Sequence, residues 1–180
     1  MNKTDCNATL DWVDEDQNSW VSQDTTPDQR SIEEYLKDTR GEKILHVGIG
    51  NGTFPDKVKG NEVYGIAVHK SEVDNTRAKG YKSKKRFNKY TTDLTKYYRG
   101  LDIIVDNNPK SYACHVDCFK DYISNARDLL KDGGRFITHK QGLEFISFAS
   151  SVAPGSVDEL VEIFKPSKVI EKNQLVVLIK

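Results

Sequence analysis

Short apolar runs, separated by longer polar stretches, recur along the chain after residue 40. The runs are rich in β-branched residues and too short for helices, which is the pattern of strands buried in a parallel sheet. The last two runs flank Lys172 and Asn173 and predict an antiparallel hairpin. The predicted strands cover residues 43–48, 62–68, 101–105, 135–139, 168–171 and 175–179, with a weaker strand within 83–91.

Helical periodicity fills the stretches between these strands. Pro27 and Asp28 suit the first turn of a helix, and Gly41 ends that segment. Strands that alternate with helices imply a doubly wound α/β fold, with a mostly parallel sheet, helices on both faces and a C-terminal antiparallel β-hairpin. Ligands of such folds bind beyond the carboxyl ends of the strands. The other predicted helices cover about residues 53–59, 70–78, 116–130 and 156–164.

A polar arm, residues 1–29, precedes the predicted domain, residues 30–180. The sizeable apolar residues of the arm include Trp12 and Trp20. Tryptophans in a polar segment are typical of an arm that packs onto a surface. Two interpretations follow: the arm packs on its own domain, or it is a partial lid whose Trp20 also contacts the substrate.

Composition limits the class of protein. A chain of 180 residues suits one domain with a substantial core. It has no run of about 18 apolar residues and no positive-then-apolar leader, so we expect a soluble, cytoplasmic protein without a membrane partner. Three cysteines suit a reducing compartment.

Charge is unevenly distributed although the formal net charge is zero. Residues 1–40 carry ten acids and four bases, whereas residues 61–100 carry four acids and ten bases. The basic run 82–90 interleaves aromatic residues with charge, as nucleic-acid contacts often do. With zero net charge and no appended recognition module, we expect solvated faces and a small-molecule substrate rather than nucleic acid. The sequence does not indicate an oligomeric state.

A glycine turn follows the first strand, with glycines at 48, 50 and 52. Glycine adopts the positive φ of a tight strand-to-helix turn and lets the backbone approach a nucleotide closely. Thr53 stands where the dinucleotide fingerprint has its last glycine, which disfavours a pyrophosphate cradle. An adenosine without phosphates remains open as the ligand.

Five segments in order resemble the class I S-adenosylmethionine-dependent methyltransferases. Ile44–Gly52 is similar to the family's first motif, with His46 in place of the acid usual there. The family's second strand usually ends in an acid that binds the ribose hydroxyls, and Ala67 occupies that position. Thr92–Leu94, the strand 101–106 and the segment 130–137 also match. The resemblance covers about residues 28–180.

The resemblance implies S-adenosylmethionine as the cofactor. His46 is expected either to bond the amino-acid end of the cofactor or to be a buried, paired histidine. Asp93 matches the acceptor of the adenine amino group, and a helix N-cap before Leu94 is the alternative. The implied cofactor-binding residues are His46, Gly48, Gly50, Asn51, Gly52, Ala67, Val68, Asp93, Leu94 and Asn107.

The methyl-acceptor chemistry is left open by the stretch Asp106–Pro109. It partly resembles the Asn-Pro-Pro-Tyr motif of amino-methylating members, and Asp106 also matches the acid of metal-assisted O-methyltransferases. Asp106 and His139, at predicted carboxyl ends of strands, are the catalytic candidates, either as a base or as a group that orients the acceptor. Lys110, Tyr112 and Trp20 are the candidate substrate-binding residues.

No metal site is expected. Cys114, His115 and Cys118 lie close in sequence, but no second ligand pair follows at the spacing of a zinc site.

The resemblance implies a methyltransferase that acts on an O or N atom of a small molecule. The alternative is a degenerate, non-catalytic subunit that binds the cofactor or a nucleoside, because acids are absent at His46 and Ala67. Thr53 and Ala67 disfavour a nicotinamide oxidoreductase.

Overall fold

The computed structural model describes residues 20–113, 115–145 and 152–180. Its centre is a seven-stranded sheet with the order β3-β2-β1-β4-β5-β7-β6. Strands β1 to β5 are parallel, and β7 runs antiparallel to both β5 and β6. The strands are β1 (Lys43–Val47), β2 (Glu62–Ala67), β3 (Ser83–Arg86), β4 (Leu101–Asp106), β5 (Leu130–His139), β6 (Lys168–Lys172) and β7 (Leu175–Ile179).

Six α-helices accompany the sheet in the described part of the chain. None of them is long and apolar enough to cross a membrane. Two short 3-10 helices, Trp20–Ser22 and Leu94–Lys96, complete the described elements. The α-helices are α1 (Pro27–Leu36), α2 (Phe54–Lys57), α3 (Lys70–Val73), α4 (Val116–Leu129), α5 (Lys140–Glu144) and α6 (Val157–Phe164).

The core lies on both faces of the sheet, because successive side chains of a strand point to opposite faces. On β4, Ile103 and Val105 join the cluster that α1 covers, whereas Ile104 joins the cluster that α4 and α6 cover. Every residue of β4 is buried. The apolar run 101–105 therefore predicted a central strand correctly, and the predicted doubly wound fold with its terminal hairpin is confirmed.

Strand β5 begins earlier than the sequence predicts. Leu101 pairs with Leu130, and Ile103 pairs with Arg135, so the chain bulges between these two pairs. Gly133 in the bulge has a φ of 74°, and its N–H donates to the carbonyl of Lys180 at 3.2 Å. Gly133 and Gly134, which separate the predicted helix 116–130 from the predicted strand 135–139, thus lie within the strand itself.

Two further elements are markedly shorter than predicted, and one observed helix was not predicted. The helix predicted over 70–78 ends at Val73, because the Asn75 side chain accepts from the backbone N–H of Arg77 at 2.9 Å and forms a turn. The strand within 83–91 ends at Arg86, since Asn88 makes the same kind of turn with the N–H of Tyr90. Helix α5 lies where no element was predicted.

Candidate active site

A cavity of about 770 Å³ opens at the carboxyl ends of β1, β2 and β4. The topology predicts this place, because the chain turns to opposite sides of the sheet after neighbouring central strands. Four loops line it, and they follow β1, β2, β3 and β4 respectively. A further wall comes from the segment that leads into α1 and from the first turns of that helix. Its size is that of a small-molecule site.

The glycine turn after β1 forms the floor of this cavity. Gly48 and Gly50 line it and have φ values of 87° and 54°. A Cβ atom placed on either glycine would meet no atom within 4 Å, so open space lies above the backbone at both positions. The turn is therefore an unobstructed backbone cradle with room for an adenosyl group.

Gly52, the third glycine, has a different role. A Cβ atom on Gly52 would lie 2.8 Å from the Cβ of Ala78, and Gly52 is absent from the cavity lining. Its φ of 82° also favours glycine. The packing of the turn against Ala78 therefore requires a glycine at position 52. This differs from the cofactor-binding role predicted for Gly52.

Asn51 connects the turn to the segment that covers it. Its amide nitrogen donates to the carbonyl of Gln23 at 3.1 Å and to the hydroxyl of Thr25 at 3.0 Å. Trp20 lines the cavity and is 42% exposed. Residues 20–26 therefore lie over the turn, whereas the rest of the predicted arm, with Trp12, lies outside the described residues.

The boundary predicted between residues 29 and 30 lies within a helix. Helix α1 begins at Pro27, and its first turn already lines the cavity with Asp28 and Gln29. The last three residues of the predicted arm therefore belong to α1.

His46 is buried beneath the turn. Its Nδ1 lies 2.6 Å from the Tyr81 hydroxyl, its Nε2 lies 3.4 Å from Nε2 of Gln29, and its ring stacks on Phe54 at 4.1 Å between centroids. Burial lowers the pKa of His46 to about 3, so the ring is neutral at pH 7. His46 lines the cavity and is also the paired, buried histidine of the second interpretation.

Glu72 supplies a buried carboxyl that the sequence did not single out. It lies on α3, lines the cavity and accepts a hydrogen bond from the N–H of Gly50 at 2.7 Å. Burial raises the pKa of Glu72 to about 7, against hydrogen bonds from Gly50 and Ile49 that lower it. Glu72 reaches the cavity because it lies in a short helix beside the glycine turn, and no sequence motif predicts that position.

Asp106 ends β4 with a carboxylate that already accepts three hydrogen bonds. It accepts from Lys89 Nζ at 2.7 Å, from the Tyr122 hydroxyl at 2.7 Å and from the N–H of Asn108 at 3.1 Å. Burial lowers the pKa of Lys89, and the attraction of Asp106 partly offsets this. A carboxylate held by three donors suits a fixed structural anion better than a base.

Asn107, the next residue, also lines the cavity. Its nitrogen donates to the Asp28 carboxylate. Its Oδ1 is buried and accepts no hydrogen bond from any described residue. Helix α5 packs closely here, since a Cβ on Gly142 would come within 1.6 Å of the Asn107 carbonyl oxygen. A buried acceptor without a donor is costly, which suggests that a ligand supplies one.

Tyr112 and His69 meet across the cavity. His69 Nε2 lies 3.0 Å from the Tyr112 hydroxyl, and both residues line the cavity. Tyr112 has a φ of 65°, an uncommon left-handed conformation for a side chain of this size. Tyr112 was predicted to bind substrate, while His69 was not predicted at all.

Comparison with known proteins places this geometry in a fold family. No protein-family model matches the sequence, and no curated protein matches it either. N-methyltransferase NodS from Bradyrhizobium japonicum, solved with S-adenosyl-L-homocysteine, matches with a TM-score of 0.69 at 14% identity, covering 97% of this chain and 98% of that one. The chain has the class I methyltransferase fold.

Two further methyltransferases share this fold. A TehB-like S-adenosylmethionine-dependent methyltransferase from Corynebacterium glutamicum has a TM-score of 0.59 at 14% identity, covering 99% of this chain and 98% of that one. An O-methyltransferase family protein from Burkholderia thailandensis has a TM-score of 0.61 at 11% identity, covering 83% of this chain and 55% of that one.

Four more residues predicted for the site of this methyltransferase fold are, like Gly52, absent from the cavity lining. Asp93 is exposed and accepts from the N–H of Thr95 at 3.1 Å, as the N-cap interpretation expects. Leu94 is part of the core. Asp93 therefore lies outside the cavity lining, and its contact with adenine stays a prediction.

Lys110 and His139 complete this group. Lys110 is buried, and its Nζ pairs with the Glu159 carboxylate at 2.6 Å. His139 caps α5, where its Nδ1 accepts from the N–H of Gln141 at 3.2 Å. Burial lowers the pKa of His139, although nearby Asp28 acts against this. Both side chains therefore hold loops that border the cavity, while Ala67 and Val68 line it as predicted.

Proposed function

We propose that this protein is an S-adenosylmethionine-dependent methyltransferase that acts on an O or N atom of a small molecule. The observation that carries the proposal is the open glycine turn, where Gly48 and Gly50 face free space at the floor of the cavity. The cavity lies beyond the carboxyl ends of parallel strands in a methyltransferase fold. A ligand that contacts the backbone of the glycine turn needs no phosphate group to bind.

On the cofactor side, the chain offers a cradle of backbone and apolar atoms. Gly48, Gly50, Ala67 and Val68 would hold the adenosyl group, and His46 stays neutral beside it. When bound, the cofactor supplies an electrophilic methyl group.

On the acceptor side, the unpartnered Oδ1 of Asn107 favours a substrate with an N–H or O–H group. The Asp28 carboxylate holds the Asn107 amide nitrogen, so the amide is fixed in orientation. Positioning the nucleophile accounts for much of the catalysis of such a displacement. We further propose that residues 20–29 act as a partial lid, because they line one wall and Asn51 holds them over the turn.

Calorimetric titration with S-adenosylmethionine and S-adenosylhomocysteine tests the cofactor. Gly48→Val is the diagnostic variant, because its side chain fills the cradle, and Gly100→Val is its matched control. Gly100 also has a positive φ, of 63°, and open space around it, but it lies outside the cavity lining. We expect micromolar binding by the wild type and by Gly100→Val, and at least about tenfold weaker binding by Gly48→Val, equal to about 1.4 kcal/mol. Equal affinities of both variants would contradict the proposed cradle.

The second candidate, a non-catalytic binding subunit, is favoured by the state of Asp106. Three donors already occupy its carboxylate, so it is a poor base for a protonated acceptor. Incubation with methyl-labelled cofactor and a fractionated cell extract separates the two candidates. Label in a small-molecule fraction supports the enzyme, whereas binding without any transfer supports the second candidate.

A further inference from the structure

Strands β1 and β2 present no acid to the cavity, yet a buried carboxyl lies beside the glycine turn. His46 and Ala67 occupy the two strand positions. The carboxyl belongs to Glu72 on α3, the helix that follows β2. Glu72 is 3% exposed and lines the cavity. An acid therefore lies close to the end of β2, five positions after Ala67.

The hydrogen bonds of Glu72 leave room for a ligand. Its Oε2 accepts from the N–H of Gly50 at 2.7 Å, and the carboxyl also receives a backbone hydrogen bond from Ile49. A carboxylate has about four acceptor positions on its two oxygens. No described residue forms an ion pair with Glu72. Two acceptor positions therefore remain for donors in the cavity.

The sheet order places Glu72 on the nucleoside side of the site. The order β2-β1-β4 puts the glycine turn between Glu72, which follows β2, and Asn107, which follows β4. Asn107 carries the unpartnered oxygen that we assign to the methyl acceptor. A group that binds at Glu72 is therefore on the opposite side of the turn from the acceptor. Vicinal hydroxyls are the donors of an adenosyl ligand that a carboxylate at such a place recognises.

We propose that Glu72 accepts hydrogen bonds from the ribose hydroxyls of the bound adenosyl ligand, in place of an acid at the end of β2. This inference rests on the proposed function. Because the same carboxyl holds the N–H of Gly50, ribose recognition and the shape of the glycine turn depend on one side chain. The site consequently selects ribonucleosides over deoxyribonucleosides.

The test compares adenosine with 2′-deoxyadenosine and 3′-deoxyadenosine in calorimetric titrations of the wild type and Glu72→Gln. The amide side chain of the variant keeps an acceptor for Gly50 but has no charge. We expect Glu72→Gln to bind adenosine about 10- to 100-fold more weakly, as for a lost charge-assisted hydrogen bond. The affinity for each deoxy analogue is expected to fall by a smaller factor, about three- to tenfold, because it keeps only one of the two donors.

Glu33→Gln is the matched control. Glu33 is also a buried acid in the cavity lining, but it lies on α1 and bonds Gln29. We expect Glu33→Gln to weaken the binding of adenosine and of both deoxy analogues by equal factors. Should Glu72→Gln not fold, Glu72→Asp replaces it. The shorter side chain withdraws the carboxylate from the ribose hydroxyls, so we expect the same selective loss of adenosine binding.

The outcomes separate the two proposals. An equal loss for adenosine and both deoxy analogues would show that Glu72 only shapes the turn, and would overturn this inference alone. A selective loss in Glu33→Gln would also overturn it, because the ribose would then lie at α1. If the wild type binds neither S-adenosylhomocysteine nor adenosine, the proposed function fails and this inference fails with it.

Discussion

At the residue scale, the buried Glu72 carboxyl links the stability of the protein to pH. Burial raises its pKa from 4.5 to about 7. The folded state keeps a proton that the unfolded chain releases above pH 4.5, so this group lowers stability progressively as pH rises from 4.5 to about 7. At about 1.4 kcal/mol per pKa unit, the full cost above pH 7 is about 3 kcal/mol.

Replacing Glu72 by glutamine removes this cost, since the amide does not ionise and still accepts from Gly50 N–H. We expect Glu72→Gln to be more stable than the wild type by up to about 3 kcal/mol at pH 8 and equally stable at pH 4. Urea denaturation at the two pH values measures the difference. The same stability difference at both pH values would refute the burial argument.

The ion pair between Lys89 and Asp106 gives a second prediction at this scale. Both side chains are nearly inaccessible, at 9% and 2% exposure. Lys89→Met leaves a buried anion with only neutral donors, so we expect a loss of about 3–5 kcal/mol in the free energy of unfolding. Adding Asp106→Asn to Lys89→Met is expected to restore most of that loss.

The control for this pair is Lys82→Met, which breaks an exposed ion pair with Glu62. Exposed pairs contribute little because water screens them, so we expect almost no change. Chemical denaturation of the four proteins provides the test. Equal losses in Lys82→Met and Lys89→Met would contradict the role of burial.

At the element scale, the glycine turn connects β1 to α2, and its conformation depends on close packing. Gly52 combines a φ of 82° with a space that Ala78 closes. We expect Gly52→Ala to lose about 1–2 kcal/mol from the positive φ and about 1–3 kcal/mol more from the collision. The free energy of unfolding from urea titration measures the sum.

Gly100→Ala separates the two contributions. Gly100 has a φ of 63°, but an added Cβ would meet nothing within 4 Å. Only the conformational cost should remain there. If the two variants lose the same stability, the contact between Gly52 and Ala78 contributes nothing.

The elements that sequence predicted well are those that periodicity alone determines. Strand β4 and helix α4 have long, regular apolar patterns, and both appear close to their predicted bounds. Helix α3 and strand β3 are shorter than predicted, because the side chains of Asn75 and Asn88 bond nearby backbone N–H groups and form turns. Such local hydrogen bonds compete with helix and strand and depend on the path of the chain.

At the scale of the whole molecule, the segment over the cavity gives an optical signal. Trp20 lines the cavity and is 42% exposed, so a bound adenosyl ligand would alter its surroundings. In a Trp12→Phe background, we expect S-adenosylhomocysteine to quench or shift the fluorescence of Trp20 with a dependence on concentration that matches calorimetry. Trp20→Phe in place of Trp12→Phe is the control.

An unchanged Trp20 spectrum during saturating binding would contradict the lid proposed for residues 20–29. A signal from Trp12 of equal size would instead place the contact outside the described residues. Neither result tests the identity of the cofactor, which the calorimetric titrations test.

The sequence by itself determined the order of the strands and of the α-helices other than α5, the glycine turn after β1 and the resemblance to class I methyltransferases. These features are local, because apolar periodicity and glycine spacing are written into neighbouring residues. The structure confirms that fold, and it brings His46, Gly48, Asn107 and Tyr112 to one cavity.

Only the tertiary structure decided which polar residues meet there. Asp93, Lys110 and His139 have the residue types of a site, but they bond Thr95, Glu159 and Gln141 respectively. Glu72 was not singled out because its burial and its bond to Gly50 result from the packing of α3 against the glycine turn. The chemistry of a site depends on contacts between residues distant in sequence, and one chain without its fold does not specify those contacts.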